Sequence, residues 1–223
     1  MKKQKMQMIK QHLIKAFWVF LIGSIVGCIV ETLVGIIFDH SFKIRQGLIY
    51  GPFIPVYGIG AVMYYFIVSN VKDVKKVFVL SMVLGGAIEY FCSYFQELCF
   101  GTVSWDYSNM LLNIGGRTSL LFCICWGILG VLFIKFVVPL LQKIDVYLEN
   151  KQFKCITAML ACFMILNIGI SCAAGVRQNE RVQEIEATTK MDVFLDKYYP
   201  DAVMDKVYSN KMNRTRKLVQ NTI

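Results

Sequence analysis

Five apolar runs, separated by short polar stretches, take up most of residues 16–176 of this chain. A helix needs about 20 apolar residues to cross the hydrocarbon core of a bilayer. Because the backbone finds no water there, a helix, which satisfies its own peptide groups, is the expected conformation. The runs cover residues 16–38, 54–71, 77–100, 119–141 and 155–176. We therefore predict an all-α, polytopic membrane helical bundle of about five transmembrane helices, with residues 16–176 as the transmembrane domain.

The two ends of the chain differ from its apolar centre. Residues 1–15 are rich in lysine, and Ile9, Leu13 and Phe17 fall on one stripe, which is typical of a short amphipathic helix on a membrane surface. The run that follows is longer than the apolar region of a signal peptide, so we interpret it as a retained first span. Residues 177–223 form a polar tail of mixed charge, for which we predict partly helical structure.

The distribution of basic residues accounts for the net charge of +9 without a nucleic acid partner. Lysines concentrate in residues 1–15, 72–76 and 142–154, whereas the intervening loops 39–53 and 101–118 have few basic residues. The positive-inside rule distributes them in this way in membrane proteins. The pattern predicts a cytoplasmic N-terminus and places the two intervening loops together on the outer side.

The eight cysteines and two histidines do not indicate a disulfide framework or a metal centre. The cysteines lie in or beside the apolar runs, and Cys123 and Cys125 would face different sides of a helix. Small apolar packing is the expected role of such cysteines. With His12 and His40 as the only imidazoles, we predict no metal site and no cofactor.

Glutamates interrupt two of the apolar runs, and each lies on a face made of small residues. Side chains four positions apart share one face of a helix. The two stripes are Gly23, Gly27, Glu31 and Gly35, and Ser81, Gly85, Glu89, Ser93 and Glu97. A charge inside the membrane costs about 2.5–3.5 kcal/mol on insertion scales, so such residues turn towards protein and find partners. The small neighbours allow a second helix to approach closely enough to supply them.

The two outer loops add further polar residues near these glutamates. The first contains Arg45 with several glycines and prolines, and Tyr57 follows it. Because irregular backbone at membrane depth must be covered by protein, we expect this loop to fold back over the bundle. In the second, Asp106 would cap a turn or pair with a cation, and Trp105 would lie at the headgroup level. Arg117 would pair with one of the glutamates or extend to the interface.

These residues together make a candidate polar site with no assigned catalytic residue. Its members are Glu31, Glu89, Glu97, Asp106, Arg117, Asn113, Arg45, Tyr57 and Trp105. The three glutamates exceed what the one nearby arginine, Arg117, can neutralise, which favours a substrate, ion or proton role. The alternative is a structural role, in which the carboxylates join helices or are neutral because burial raises a carboxyl pKa.

Several motifs occur in a characteristic order along residues 16–141. They are Gly27 and Glu31, Gly51-Pro52-x-x-Pro55-x-Tyr57-Gly58, Glu89, Trp105-Asp106-Tyr107-Ser108, Asn113-Ile114-x-Gly116-Arg117 and Trp126-Gly127. This set resembles the putative ABC-transporter type IV (CmpB-like) family. One departure is Arg45-Gln46-Gly47, where the family has Asn-Arg-Gly. The resemblance implies a transporter permease component in a bacterial cell membrane.

We accordingly expect a permease-like integral membrane subunit with a buried Glu/Arg site and an unknown substrate. The chain has no G-x-x-x-x-G-K-[ST] phosphate loop, so an ATPase would be a separate subunit. Five spans make a small pore lining, which favours a homo-oligomer or a hetero-oligomer. Two alternatives stay open. One is a membrane-embedded enzyme acting on lipid or envelope precursors, although no catalytic hallmark is present. The other is a sensor or assembly factor that works through residues 177–223.

Overall fold

The computed structural model describes residues 2–39, 47–209 and 211–213, and it confirms the all-α architecture. The helices are α1 Lys2–Asp39, α2 Pro55–Met63, α3 Val74–Phe100, α4 Leu120–Leu132, α5 Val138–Ile144, α6 Lys151–Val182, α7 Lys190–Tyr198 and α8 Asp201–Val207. The π-helical segments Tyr64–Val68 and Phe133–Val137 continue α2 and α4, and a 3-10 turn, Asp145–Tyr147, follows α5. Two antiparallel ribbons pair β1 Thr102–Val103 with β4 Met212–Asn213, and β2 Asn113–Ile114 with β3 Thr118–Ser119.

Four helical stretches are long and apolar enough to cross a membrane. They are Gln4–Ile37, Val74–Phe100, Leu120–Tyr147 and Lys151–Val182. The run at residues 54–71 forms a shorter apolar helix, Pro55–Val68. Its start is set by Pro55, because proline disfavours helical backbone in the residue before it. The predicted N-terminal amphipathic segment is helical, but it is continuous with the first apolar run in α1. That all five helices cross the membrane completely therefore remains a prediction.

Local signals explain where the long helices begin and end. Asp73 caps α3 by accepting hydrogen bonds from the backbone N–H groups of Lys75 and Lys76. Gly101 ends the same helix in the left-handed conformation (φ 62°), which glycine adopts without a steric cost. Asn150 caps α6 as Asp73 caps α3.

The first four helices form two hairpins, α1 with α2 and α3 with α4, and both hairpins use one packing pattern. In the first, Gly27 lies against the ring of Tyr57, and in the second Gly85 lies against Trp126. A methyl group on either glycine would overlap the aromatic side chain. Small residues thus allow each shorter helix to lie directly on its long partner.

The same correspondence continues deeper in each hairpin. A Cβ atom added at Gly58 would lie 2.7 Å from a ring carbon of Phe20, and one added at Gly127 would lie 2.7 Å from a ring carbon of Phe78. Corresponding residues are 58 positions apart in α1 and α3, and 69 positions apart in α2 and α4. The two π-helical segments, which begin at Tyr64 and Phe133, are also 69 positions apart. The hairpins are therefore structural repeats of one another.

Aromatic side chains from both hairpins form the core between them. The ring centroids of Tyr57 and Trp126 are 5.4 Å apart, and those of Tyr64 and Phe133 are 5.8 Å apart. The Tyr64 hydroxyl also donates a hydrogen bond to the carbonyl of Trp126 at 2.8 Å. Each pair joins corresponding residues of the two repeats, which is the arrangement that a two-fold relation between similar units produces.

The helix α6 packs against the first hairpin, and the start of the tail packs against the end of α6. The Trp18 ring stacks on Phe153 with centroids 5.4 Å apart. Arg177, with a side chain 4% exposed, forms a two-pronged ion pair with Asp196 of α7, with both N···O distances at 2.9 Å. This guanidinium lowers the pKa of the Asp196 carboxyl below its ordinary value. The polar tail is thus partly helical, as predicted, and joined to the bundle.

Candidate functional site

Glu89 is the most buried carboxylate of the candidate site, with 6% of its surface exposed. Its Oε2 accepts a hydrogen bond from the Thr118 hydroxyl at 2.8 Å, and its Oε1 accepts one from the Tyr107 hydroxyl at 3.1 Å. Both donors come from the loop that joins α3 to α4. Within the described part of the chain, these two neutral hydroxyls therefore hold the acid inside the second hairpin.

Tyr107 connects the two glutamate stripes electrostatically. Its ring stacks on Phe122 with centroids 4.1 Å apart, which buries the phenol beside Glu89. Burial raises the pKa of Tyr107, and the negative charges of Glu89 and then Glu31 raise it further. The phenol is therefore protonated over the physiological range and acts as a donor to Glu89. The charges of both acids therefore act on one hydroxyl of the loop between α3 and α4.

Glu31 is the corresponding acid of the first hairpin, since it lies 58 positions before Glu89. It is half-buried, and its Oε1 accepts a hydrogen bond from the Tyr57 hydroxyl at 2.8 Å. Tyr57 is fixed between Gly27 and Trp126, so the position of its hydroxyl is set by the packing of both hairpins. This hydrogen bond joins α2 to the carboxylate of α1 within the first hairpin.

Arg117 lies in a second polar group with Glu97, the shallower acid of the α3 stripe. The Arg117 Nη2 atom is 2.5 Å from the Glu97 Oε2 atom, and its Nη1 donates to the Ser93 hydroxyl at 3.3 Å. The guanidinium carbon lies 5.9 Å from the Tyr90 ring centroid and 5.5 Å from that of Tyr94. Of the three partners that the sequence allowed for Arg117, the structure places Glu97 in contact with it.

The remaining candidates in the second outer loop shape its backbone. Trp105 donates its indole N–H to the Arg117 carbonyl at 2.8 Å, and Asp106 accepts from the Ser108 backbone N–H at 3.0 Å. Asn113 donates to the Met110 carbonyl at 2.9 Å. These bonds orient the loop that supplies Tyr107 and Thr118 to Glu89. Arg45 lies outside the described residues.

The first outer loop is held by two polar residues of α6 that the sequence-based prediction missed. The Asn167 side chain accepts from the Tyr50 backbone N–H at 3.2 Å and donates to the Tyr50 carbonyl at 2.6 Å. The Ser171 hydroxyl accepts from the Ile49 N–H at 3.0 Å. These bonds satisfy irregular backbone beside the bundle, as the predicted folding back of this loop requires. Their spacing of four in an apolar helix was the available signal.

Trp126, Tyr107 and Thr118 are further residues that the site prediction did not include. The first two stood in recognised motifs, but Thr118 had no distinguishing pattern in the sequence. Trp126 lies between the hairpins, and its side chain also interacts with Glu89. Within the described residues, no group of three or more His, Cys, Asp or Glu side chains is placed to hold a metal ion.

Comparison with known proteins identifies a family for most of this structure. A family model described as “Putative ABC-transporter type IV” matches residues 18–172. The matched segment covers α1 from residue 18 onwards, α2 to α5 with their connecting loops, and α6 as far as residue 172. Searches of the curated proteins and of the solved structures found no match.

Proposed function

The chain belongs to the putative ABC-transporter type IV family, and we propose that it is a permease-like membrane subunit whose polar site lies between the two hairpins. The family supports a transporter-like role in general, and the apolar helices support a membrane location. The site would consist of Glu31 and Glu89 with the hydroxyls that donate to them. Its substrate class is not specified by these residues.

The burial of Glu89 is the observation that carries this proposal. A carboxylate inside an apolar helix costs free energy, and proteins retain such groups mainly where ions, protons or substrates interact with them. Glu89 is held by the hydroxyls of Tyr107 and Thr118, which allow its charge state to change more easily than a tight ion pair would. Arg117, by contrast, is engaged by Glu97.

The repeated hairpins support this location for the proposed site. Many transporters are built from repeated units, with the substrate site at the interface between the repeats. Glu31 and Glu89 occupy corresponding positions on α1 and α3, and the aromatic contacts between Tyr57 and Trp126 lie beside them. A change in the angle between the hairpins would therefore alter the site directly.

The subunit would work with other chains in a bacterial cell membrane. The sequence contains no phosphate-binding loop motif, so energy from ATP would come from a separate ATPase subunit. A small bundle offers little pore lining, which favours a homo-oligomer. The distribution of lysines favours a cytoplasmic N-terminus.

The proposal is tested by comparing cells that produce the wild-type protein, Glu31→Gln or Glu89→Gln. Intracellular and extracellular solutes and membrane lipids are measured by mass spectrometry, relative to cells without the protein. Glu186→Gln, at an exposed position in the tail, is the matched control. We expect the wild type and the control to redistribute the same solutes, and each site variant to lose most of that effect.

Two results would contradict this function. If Glu31→Gln and Glu89→Gln redistribute solutes as the wild type does at equal abundance, the carboxylates are not part of a transport site. If Glu89→Gln changes the lipid composition of the cells but leaves the distribution of solutes unchanged, the protein is an enzyme acting on lipids.

A further inference from the structure

The second outer loop, residues 101–118, descends beside α3 before it reaches the start of α4. Near its middle the Tyr107 hydroxyl donates to Glu89, and at its end the Thr118 hydroxyl donates to the same carboxylate. Glu89 lies 11 residues before Phe100, the last residue of α3. At 1.5 Å per residue, this places Glu89 about 16 Å below the end of that helix. The loop therefore runs alongside the last three turns of α3.

The level of Glu89 lies inside the hydrocarbon core of a bilayer. Lys15 of α1 forms an ion pair with Asp145, which follows α5, and the aspartate side chain is 48% exposed. Because charges are costly inside a membrane, this pair marks the inner surface. A core of about 30 Å corresponds to about 20 helical residues, which brings the outer surface to about residue 35 of α1. Glu31, the counterpart of Glu89 in the first hairpin, lies before that point, and so the loop reaches below the outer surface.

Four apolar side chains protrude from this loop. Each is between 38% and 81% exposed, and together they form the apolar tip, which consists of Met110, Leu111, Leu112 and Ile114. No charged residue occurs between Asp106 and Arg117, so the tip has no formal charge. The Met110 sulfur lies 3.7 Å from the hydroxyl of Ser119, the residue directly before α4. The tip therefore lies beside the start of α4.

Hydrogen bonds within the loop hold the tip in place. The Asn113 side chain donates to the carbonyl groups of Ser108 and Met110. It also accepts from the Gly116 backbone N–H at 3.0 Å. Irregular backbone at membrane depth requires partners of this kind for its polar groups. Leu112 has a φ of 52°, in the left-handed region that residues with side chains rarely adopt, and such strain is retained mainly where the side chain has a role.

We infer that the apolar tip inserts among the acyl chains of the outer leaflet, which makes the second outer loop a re-entrant segment. The tip continues an apolar surface that the membrane-spanning helices expose, with Leu120 and Leu121 at the start of α4 and Phe91 and Phe95 on α3. Lipid covers that surface in a bilayer, so one occupant accounts for the helices and the tip together. Removal of apolar area from water is favourable in proportion to the area buried.

An inserted tip keeps the loop at the depth of the carboxylate site. The same loop supplies the hydroxyls of Tyr107 and Thr118 to Glu89. The four side chains of the tip are not part of that site, so the inference does not depend on the transport function proposed above.

Photocrosslinking in native membranes tests the insertion. The photoreactive amino acid p-benzoylphenylalanine replaces Leu111 in the full-length protein, and mass spectrometry of the purified protein identifies what becomes attached on irradiation. Position 166, an exposed leucine within α6, is the lipid-facing reference, and position 186, in the exposed loop before α7, is the aqueous reference. We expect phospholipid adducts at position 111 with a yield close to that at position 166 and well above that at position 186.

A second pair of variants connects these adducts to the apolar character of the tip. With the photoreactive residue at position 114, Leu111→Asp should abolish most of the phospholipid adducts, because a carboxylate is excluded from hydrocarbon. Leu111→Ile is the matched control and should retain them. Leu111 is 81% exposed, so both variants should fold and unfold thermally as the wild type does.

Three results would overturn the inference. Phospholipid adducts at position 111 that are no more frequent than at position 186 would place the tip in water. Attachment to a second copy of the chain or to another protein, in place of lipid, would show that the tip is a protein-docking surface. Undiminished adducts at position 114 in Leu111→Asp would show that the apolar side chains do not hold the tip in the membrane.

Discussion

At the scale of single residues, several polar side chains in the apolar helices form hydrogen bonds to the backbone or to one another. Asn167 is the clearest structural case, since both ends of its amide bond to the backbone of Tyr50. Glu89 differs because its partners are side chains, among them two hydroxyls that a ligand can replace. A polar residue in an apolar helix can therefore serve structure or function, depending on which groups face it.

Replacing Asn167 by leucine should destabilise the protein by about 1–3 kcal/mol, because the N–H and carbonyl of Tyr50 would be left without partners. The measurement is chemical unfolding in detergent, with proteolysis of the first outer loop as a local readout. Leu166→Ala, at a position that is 67% exposed, is the control and should have little effect. Equal stability of Asn167→Leu and the wild type would show that α6 does not hold this loop.

At the scale of helices, close packing depends on where glycine occurs. Gly85 lies against Trp126, whereas Gly169 in α6 has no heavy atom within 4 Å of the Cβ position. Substitution by alanine is therefore expected to have opposite effects at the two glycines. Gly85→Ala should cost about 1–3 kcal/mol through overpacking, and Gly169→Ala should be neutral or stabilising by up to about 1 kcal/mol.

Thermal unfolding of both variants in the same detergent checks this contrast. A third variant, Gly27→Ala, should behave as Gly85→Ala does, because it meets Tyr57 in the corresponding place of the first hairpin. If Gly27→Ala and Gly85→Ala are as stable as Gly169→Ala, the two hairpins do not pack as described.

Helix positions were predictable from the sequence to different degrees. The apolar runs indicated the long helices, because hydrophobicity along one segment is a local signal. The continuity of α1 through the amphipathic segment was not predicted, since a change in composition does not by itself end a helix. The start of the helix Pro55–Val68 follows from Pro55, which was visible in the sequence and disfavours helical backbone in the preceding residue.

The candidate site was predicted only in part, because its contacts join distant segments. The small-residue stripes drew attention to Glu31 and Glu89, whose carboxylates accept hydrogen bonds from side-chain hydroxyls. The partner of Arg117 could not be chosen among three glutamates without knowing how the second outer loop folds. Thr118 was missed for the same reason, since its hydroxyl reaches Glu89 from 29 residues away.

At the scale of the whole molecule, the two hairpins form a repeated unit around an aromatic core, with α6 and the tail packed outside. The repeat was not apparent from the sequence because corresponding residues are 58 positions apart in α1 and α3 but 69 in α2 and α4, so no single shift aligns the hairpins. Tyr57 corresponds to Trp126, and Tyr64 to Phe133. What the repeats share is the alternation of small and aromatic residues at the contact, which becomes visible once the helices are paired.

The central claim is that Glu31 and Glu89, one from each hairpin, act in one shared site. A double-mutant cycle tests it most directly, with the free energy of unfolding measured for Glu31→Gln, Glu89→Gln and the double variant. Because both charges act on the same region, removing one should reduce the effect of removing the other, with a coupling above about 0.5 kcal/mol. The cycle of Glu31→Gln with Glu186→Gln should be additive. Additivity between Glu31 and Glu89 themselves would contradict a shared site.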